Sequence, residues 1–262
     1  MQSNIERFLR PAYPGLIAFG VTAAALSMAM PADAQTREQN HVVLGAGAAV
    51  TPAYQGSEDY RTIPIPLIDI KEGWFFANLR NGVGIAPINT DHITIGASAV
   101  FIQGYRRKDV PQGIDRLSDG VGARLFANIR TGGFITTIGA IKGVSGGTRG
   151  TIADLSVSYP IPVSSKFFLT PTLGTTWADR KHNDRYFGVT AAESAATGLP
   201  QFTTGSGFKD ASAGLTAAYR LTDRITLSAT GTVTTLLGSV KDSPQVEKKT
   251  QPAGFFTASY RL

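Results

Sequence analysis

The feature that most constrains this chain is a hydrophobic period of two, sustained over segments longer than ordinary strands. In residues 225–237, Ile225, Leu227, Ala229, Gly231, Val233 and Leu237 share one parity, while Thr226, Ser228, Thr230, Thr232 and Thr234 share the other. Extended backbone there presents one apolar face and one hydroxyl-bearing face. The split recurs in 121–130, where Val121, Ala123, Leu125, Ala127 and Ile129 oppose Gly122, Arg124, Phe126, Asn128 and Arg130. It recurs again where Leu155, Val157 and Tyr159 oppose Asp154, Ser156 and Ser158, and where Leu215, Ala217, Tyr219 and Leu221 oppose Thr216 and Arg220. A soluble sandwich alternates too. Many segments here run 10 to 14 residues, however, which suits a tilted bilayer-crossing strand better than the usual globular strand.

The connections alternate in the same sense. Residues 89–91, 131–133, 160–165 and 221–224 are short, whereas 107–118, 143–150, 178–206 and 238–250 are longer and polar or glycine-rich. Short periplasmic turns and longer extracellular loops are the plan of an outer-membrane barrel. The fold expected is therefore all-β, an antiparallel transmembrane β-barrel with strands near 41–52, 62–70, 73–80, 83–88, 92–105, 119–130, 133–143, 150–160, 167–177, 207–220, 224–236 and 252–262. That makes twelve if Asn81-Gly82 folds a hairpin, a strong signal for one; ten is the fallback, because the third and fourth are short. Trp74, Phe75, Phe76, Tyr105, Phe134, Tyr159, Phe167, Trp177, Tyr219 and Tyr260 fall near strand ends, as interfacial girdles require.

Residues 1–34 form a separate block: Arg7 and Arg10, an apolar run from Leu16 to Met30, then Ala32-Asp33-Ala34. This reads as a secretory signal peptide cleaved after Ala34, leaving 35–262 as the barrel in the cell outer membrane. Absence of cysteine agrees with export. The formal charge of +6 would favour an anionic surface, but export argues against nucleic acid as a partner.

No chemistry is legible. The glycines at 45–47 lie in a strand and open no helix, so they do not form a nucleotide loop. His41, His92 and His182 include no pair at metal-ligand spacing, and no cofactor is expected. His182 sits among Asp179, Arg180, Lys181, Asn183, Asp184 and Arg185, a cluster that reads as a solvated external loop rather than an active site. Arg124, Arg130 and Arg220 are expected to face the lumen, where they either favour anions or pair with Asp154.

Two motifs carry a resemblance. Pro52, Tyr54, Gly56, Ser57, Tyr60 and Pro64 follow the first strand, and Tyr186-Phe187-Gly188-Val189 lies in the longest loop. Together they resemble the MipA/OmpV family of outer-membrane proteins over essentially the whole mature chain. Leu262 departs from the phenylalanine that usually ends such barrels, with Tyr260, Ala258 and Phe256 keeping the alternate apolar positions. Physically the first motif reads as a rim device: prolines at strand ends, Gly56 in a turn, Tyr54 and Tyr60 with hydroxyls in water, and Glu58-Asp59 pairing with Arg61 or a lumen arginine. The resemblance implies a monomeric, non-enzymatic scaffold that holds a murein-degrading lytic transglycosylase and a murein synthase. A passive or weakly anion-selective pore for small solutes is the alternative, and surface adhesion through loop 178–206 ranks below both.

Overall fold

The alternating segments pair into one antiparallel sheet that closes on itself. The computed structural model describes residues 40–262, so the leader and its cleavage after Ala34 lie outside the described residues. The first half of the wall comprises β1 (His41–Pro52), β2 (Tyr60–Glu72), β3 (Phe75–Asn78), β4 (Gly82–Asn89), β5 (Ile93–Ile102) and β6 (Gly120–Thr131). The second comprises β7 (Phe134–Gly146), β8 (Thr151–Ser158), β9 (Ile161–Pro162), β10 (Phe167–Ala178), β11 (Gly207–Arg220), β12 (Ile225–Leu236) and β13 (Thr250–Arg261). β8 and β9 both pair with β10, one after the other, so they form a single stave interrupted at Tyr159-Pro160. Twelve staves therefore close the barrel through the pairing of β13 with β1.

The parity expected from the sequence sets inside and outside. Leu125 and Leu173 are 68 % and 66 % exposed, and large aliphatics that bare among strands make a lipid-facing surface. Inward hydroxyls bond one another instead, as between Thr216 and Thr230 at 2.9 Å and between Thr172 and Ser158 at 3.1 Å. Phe75, Phe134, Tyr159, Tyr219 and Tyr260 stand exposed around the short-turn rim, with Trp74 in the β2–β3 turn beside them. Two expected girdle members do not belong. Phe76 points inward and packs edge-on against Phe126 at 5.5 Å, and Tyr105 is buried beneath the loops.

Two loop expectations also change. β7 extends to Gly146, which shortens the connection to β8 to residues 147–150. The long segment 178–206 contains α1 (Arg180–Phe187) and α2 (Ala191–Thr197) rather than open loop. Asp179 caps α1 by accepting the His182 amide, and Thr190 with Glu193 makes a reciprocal capping box on α2.

Candidate functional site

The lumen is crossed by a polar layer built from the β3–β4 turn and the β6–β8 wall. Arg124, 1 % exposed, donates from Nη1 and Nη2 to both Asp154 carboxylate oxygens at 2.5 and 2.9 Å, and from Nε to Asn81 Oδ1 at 3.3 Å. The neighbouring Arg80 reaches across to Ser156 Oγ at 2.5 Å, and Leu79 packs against Ala49, Ile65 and Phe255 on the opposite wall. The hairpin at Asn81-Gly82 thus folds its tip into the barrel, and three successive residues touch different sides of it. Gly139 makes room for the layer, because a Cβ there would lie 2.3 Å from Arg124 Nη2. A bidentate, fully buried pair of this kind is rigid, and removing either partner leaves an uncompensated charge.

The other two arginines take separate places. Arg130 donates to Thr94 Oγ1 at 2.9 Å near the short-turn rim, and the Arg220 guanidinium stands 5.5 Å from the Phe168 ring centroid. Arg124, Arg130 and Arg220 all project inward but form no common cluster. Between the layer and the short-turn rim lies a cavity of about 70 Å³ touched by His41, Lys71, Asn81 and Asn128. Between the layer and the loop rim lies a larger one of about 180 Å³, whose lining includes Ile63, Ile141, Asp154, His182, Lys209 and Gln251.

Over the larger cavity the loops fold into a lid with its own core. Tyr54, Tyr105, Val110, Ile114, Leu117 and Val189 pack together there, joined by Tyr186 and Phe202. Both sequence motifs converge on this lid. The Gln55 amide donates to the Tyr186 hydroxyl at 3.1 Å, and Tyr186 stacks edge-on against Tyr105 at 5.3 Å. Gly56 adopts φ +106°, and a Cβ on it would meet Val246 at 2.8 Å, so the turn requires glycine. Ser57 is buried and caps the turn by accepting the Asp59 amide. Tyr60 faces outward at the top of β2, as a girdle residue does.

Tyr54 differs from expectation: it is 6 % exposed, and its hydroxyl donates to the Gln245 carbonyl at 2.8 Å rather than to water. Burial pushes the phenols of Tyr54, Tyr105 and Tyr186 up, the last to about 12. Arg61 pairs with Asp109 at 3.4 Å, not with Glu58 or Asp59, because the β5–β6 loop folds down beside it. The cluster 179–185 is helix rather than open loop, with Arg180, Lys181 and Arg185 exposed as expected but His182 and Asn183 buried. His182 is 4 % exposed, its Nδ1 lies 2.8 Å from Thr148 Oγ1, and burial with nearby Lys209 pushes its pKa down to about 3.

Sequence reasoning missed the residues that tie the lid together. Gln245 accepts from Tyr54 and donates from Nε2 to the Gly188 carbonyl, Ser243 donates to the Phe187 carbonyl, and Gln251 donates to the Ser57 carbonyl while accepting the Gly56 amide. All three come from the β12–β13 connection and the start of β13, where uncharged polar residues look like ordinary loop. Lys209 is likewise buried, bonded to Asp210 and Gln55. Among the described residues no group of three or more His, Asp or Glu is placed to hold a metal ion.

A twelve-stave barrel with a lipid-facing exterior, a barred lumen and a folded lid defines an outer-membrane β-barrel. The family described as MltA-interacting protein MipA matches residues 44–262, and the chain belongs to it. The MltA-interacting protein of Escherichia coli (strain K12) is 25 % identical over 210 residues, covering 78 % of this chain and 84 % of that protein. The 24 kDa outer membrane protein of Pasteurella multocida (strain Pm70) is 21 % identical over 237 residues, covering 86 % of this chain and 91 % of the relative. Among solved structures, the COG4313 outer membrane channel of Pseudomonas putida F1 superposes with a TM-score of 0.46 at 11 % identity, over 90 % of this chain and all of that one. The NanC porin superposes at 0.45 with 12 % identity, over 84 % of this chain and all of the porin.

Proposed function

We propose that this protein is a non-enzymatic, monomeric scaffold of the outer membrane that holds a lytic transglycosylase, and with it a murein synthase, against the periplasmic rim. The observation that carries this reading over a solute pore is the Arg124–Asp154–Asn81 layer, which stands between the two lumen cavities and leaves the barrel wall to serve as support. The relative named for its interaction with MltA supplies the partner class. The short-turn rim offers a surface to match: Ile161 and Val163 are 39 % and 55 % exposed beside Ser164 and Lys166, and Leu221 is 49 % exposed beside Asp223 and Arg224. Exposed aliphatics rimmed by charge form the usual core-and-rim pattern of a protein interface.

The test is capture of a purified lytic transglycosylase by the refolded barrel, with and without Val163→Glu and Arg224→Glu. Loss of capture by both variants, with heat-shifted gel migration unchanged, is the expected result. Capture insensitive to either change, or none by the unaltered barrel, would remove the periplasmic turns from the reading.

A further inference from the structure

The wall has a breach that scaffolding does not use. β3 pairs only with Asp69–Glu72 at the lower end of β2, and β4 pairs with β5 no higher than Ala99. Above that level, residues 60–68 of β2 ladder to β1 alone, and residues 100–102 of β5 ladder to β6 alone. Among the described residues no strand ladder joins β2 to β5. Where the short hairpin intervenes, three strand steps separate the two, roughly 14 Å.

The breach has defined edges. Its sill is the hairpin tip, packed so tightly that a Cβ on Gly82 would lie 2.0 Å from the Ala99 carbonyl. Its lintel is the Arg61–Asp109 ion pair. Pro64 and Pro66 lie on the β2 jamb, where no strand on the far side calls for the amide hydrogen that proline lacks. The motif proline thereby acquires a physical reason: it discourages a further strand from sealing the wall.

The breach also leads somewhere. Phe101 belongs to the outward-facing set and is 41 % exposed, yet it lines the upper cavity. Below the rim, the strand residues that share that lining, such as Ile63, Ile102, Ile141, Thr176 and Ala253, have the opposite, inward parity. A wall without a ladder on that side of β5 is what lets a residue of outward parity border the lumen cavity. From the loop side the cavity is covered by Tyr54, Gln55 and Tyr186, and Asp154 of the polar layer lies at its base. A further approach is sideways, at the level of the outer leaflet, where β2 and β5 share no ladder.

We infer that this breach is a lateral portal through which a small apolar molecule dissolved in the outer leaflet enters the upper cavity. A cavity of about 180 Å³ is in the size class that accepts benzene-like guests. Ile63, Phe101 and Ile102 supply an apolar threshold, while Lys209, whose ammonium has a proton beyond those given to Asp210 and Gln55, provides a polar contact for a single substituent on the guest. This reading stands independently of the scaffold role.

Because the chain has no cysteine, an Ile63→Cys variant carries one thiol, inside the cavity. Refolded into lipid vesicles, it is offered N-phenylmaleimide preloaded into the bilayer, or a charged, membrane-impermeant maleimide from the water. We expect labelling from the bilayer and little from the water. Adding Phe101→Lys places a cation on the jamb and should slow bilayer labelling roughly tenfold, whereas Leu125→Lys, equally outward but away from the breach, should leave it unchanged. Equal labelling by both reagents, no labelling by either, or identical slowing by the two lysine substitutions would each overturn the portal. A heat-shifted band on the gel establishes that every variant compared is folded, and outward Leu44→Cys, open to the bilayer, checks that the reagent is active.

Discussion

Arg124 is the residue whose environment makes the strongest demand. Its guanidinium is held by Asp154 on β8 and Asn81 at the hairpin tip, with no room for a side chain at position 139. Asp154→Asn keeps the shape but leaves Arg124, and Arg80 beside it, without their shared counter-charge, and should cost about 3–5 kcal/mol of unfolding free energy. Replacing both members, Arg124→Met with Asp154→Leu, should cost less than that single change, because two desolvated charges disappear together. Urea unfolding in vesicles reads both. A double replacement worse than Asp154→Asn would mean that the hydrogen bond to Asn81 and the packing around Gly139, not charge compensation, hold the layer. The inward parity of Arg124 and Asp154 was legible from alternation, since both fall on the polar side of two-period runs, but parity left open whether Arg124 pairs with Asp154 or stands ready for anions, because it does not say which inward residues meet across β7. Arg80 and Asn81 were not, because a turn has no parity and the inward bend of the tip depends on which walls its residues can reach.

Among the elements, the strands were readable and the lid was not. A strand that crosses lipid must segregate its side chains over its whole length, so the pattern is strong even where glycine and proline interrupt it. Helices α1 and α2 are eight and seven residues long, below the length at which helices hold alone. α2 rests on its capping box and buries no residue, whereas α1 is held by its Asp179 cap and by burial of Phe187, Asn183 and His182 against distant loops, information no local window carries. The motifs were visible as residues, but their purpose, joining three loops into one core, appears only when Gln245 and Gln251 arrive from the far end of the chain. The lid should respond to acid through His182. Its pKa is about 3 when buried, against an ordinary value near 6.5 once the lid opens, so between those values the open state binds the extra proton. The stabilisation is complete above the ordinary value and declines as pH falls below it. Asp179, which accepts the His182 amide, and Lys209 stand nearby and oppose one another in sign. Proteolysis within 178–206 should therefore quicken between about pH 7.5 and about pH 5, and His182→Gln should flatten that dependence. An unchanged pH response in the variant would assign the effect to other groups.

At the scale of the whole molecule, the barrel combines a wall wide enough to enclose space with contents that subdivide it. Twelve staves enclose more than side chains of an eight-stranded barrel fill, and here the surplus is taken up by a turn folded inward and a lid folded down. Both devices draw on the same economy: loops and a half-height hairpin fill the lumen, which leaves the membrane-facing surface uniform except at the β2–β5 breach. Such a molecule should be electrically silent in a planar bilayer, for ions would have to pass a buried Arg–Asp pair and then the lid. Removing the layer by combining Arg80→Ser, Asn81→Gly, Arg124→Ser and Asp154→Ser should join the cavities of about 180 and 70 Å³ and yield discrete conductance steps. Trimming the lid alone should not, because the layer lies beneath it. Steps from the unaltered protein whose ion preference reverses with Arg124→Glu would make the barrel a selective pore, and the scaffold would then be the secondary role.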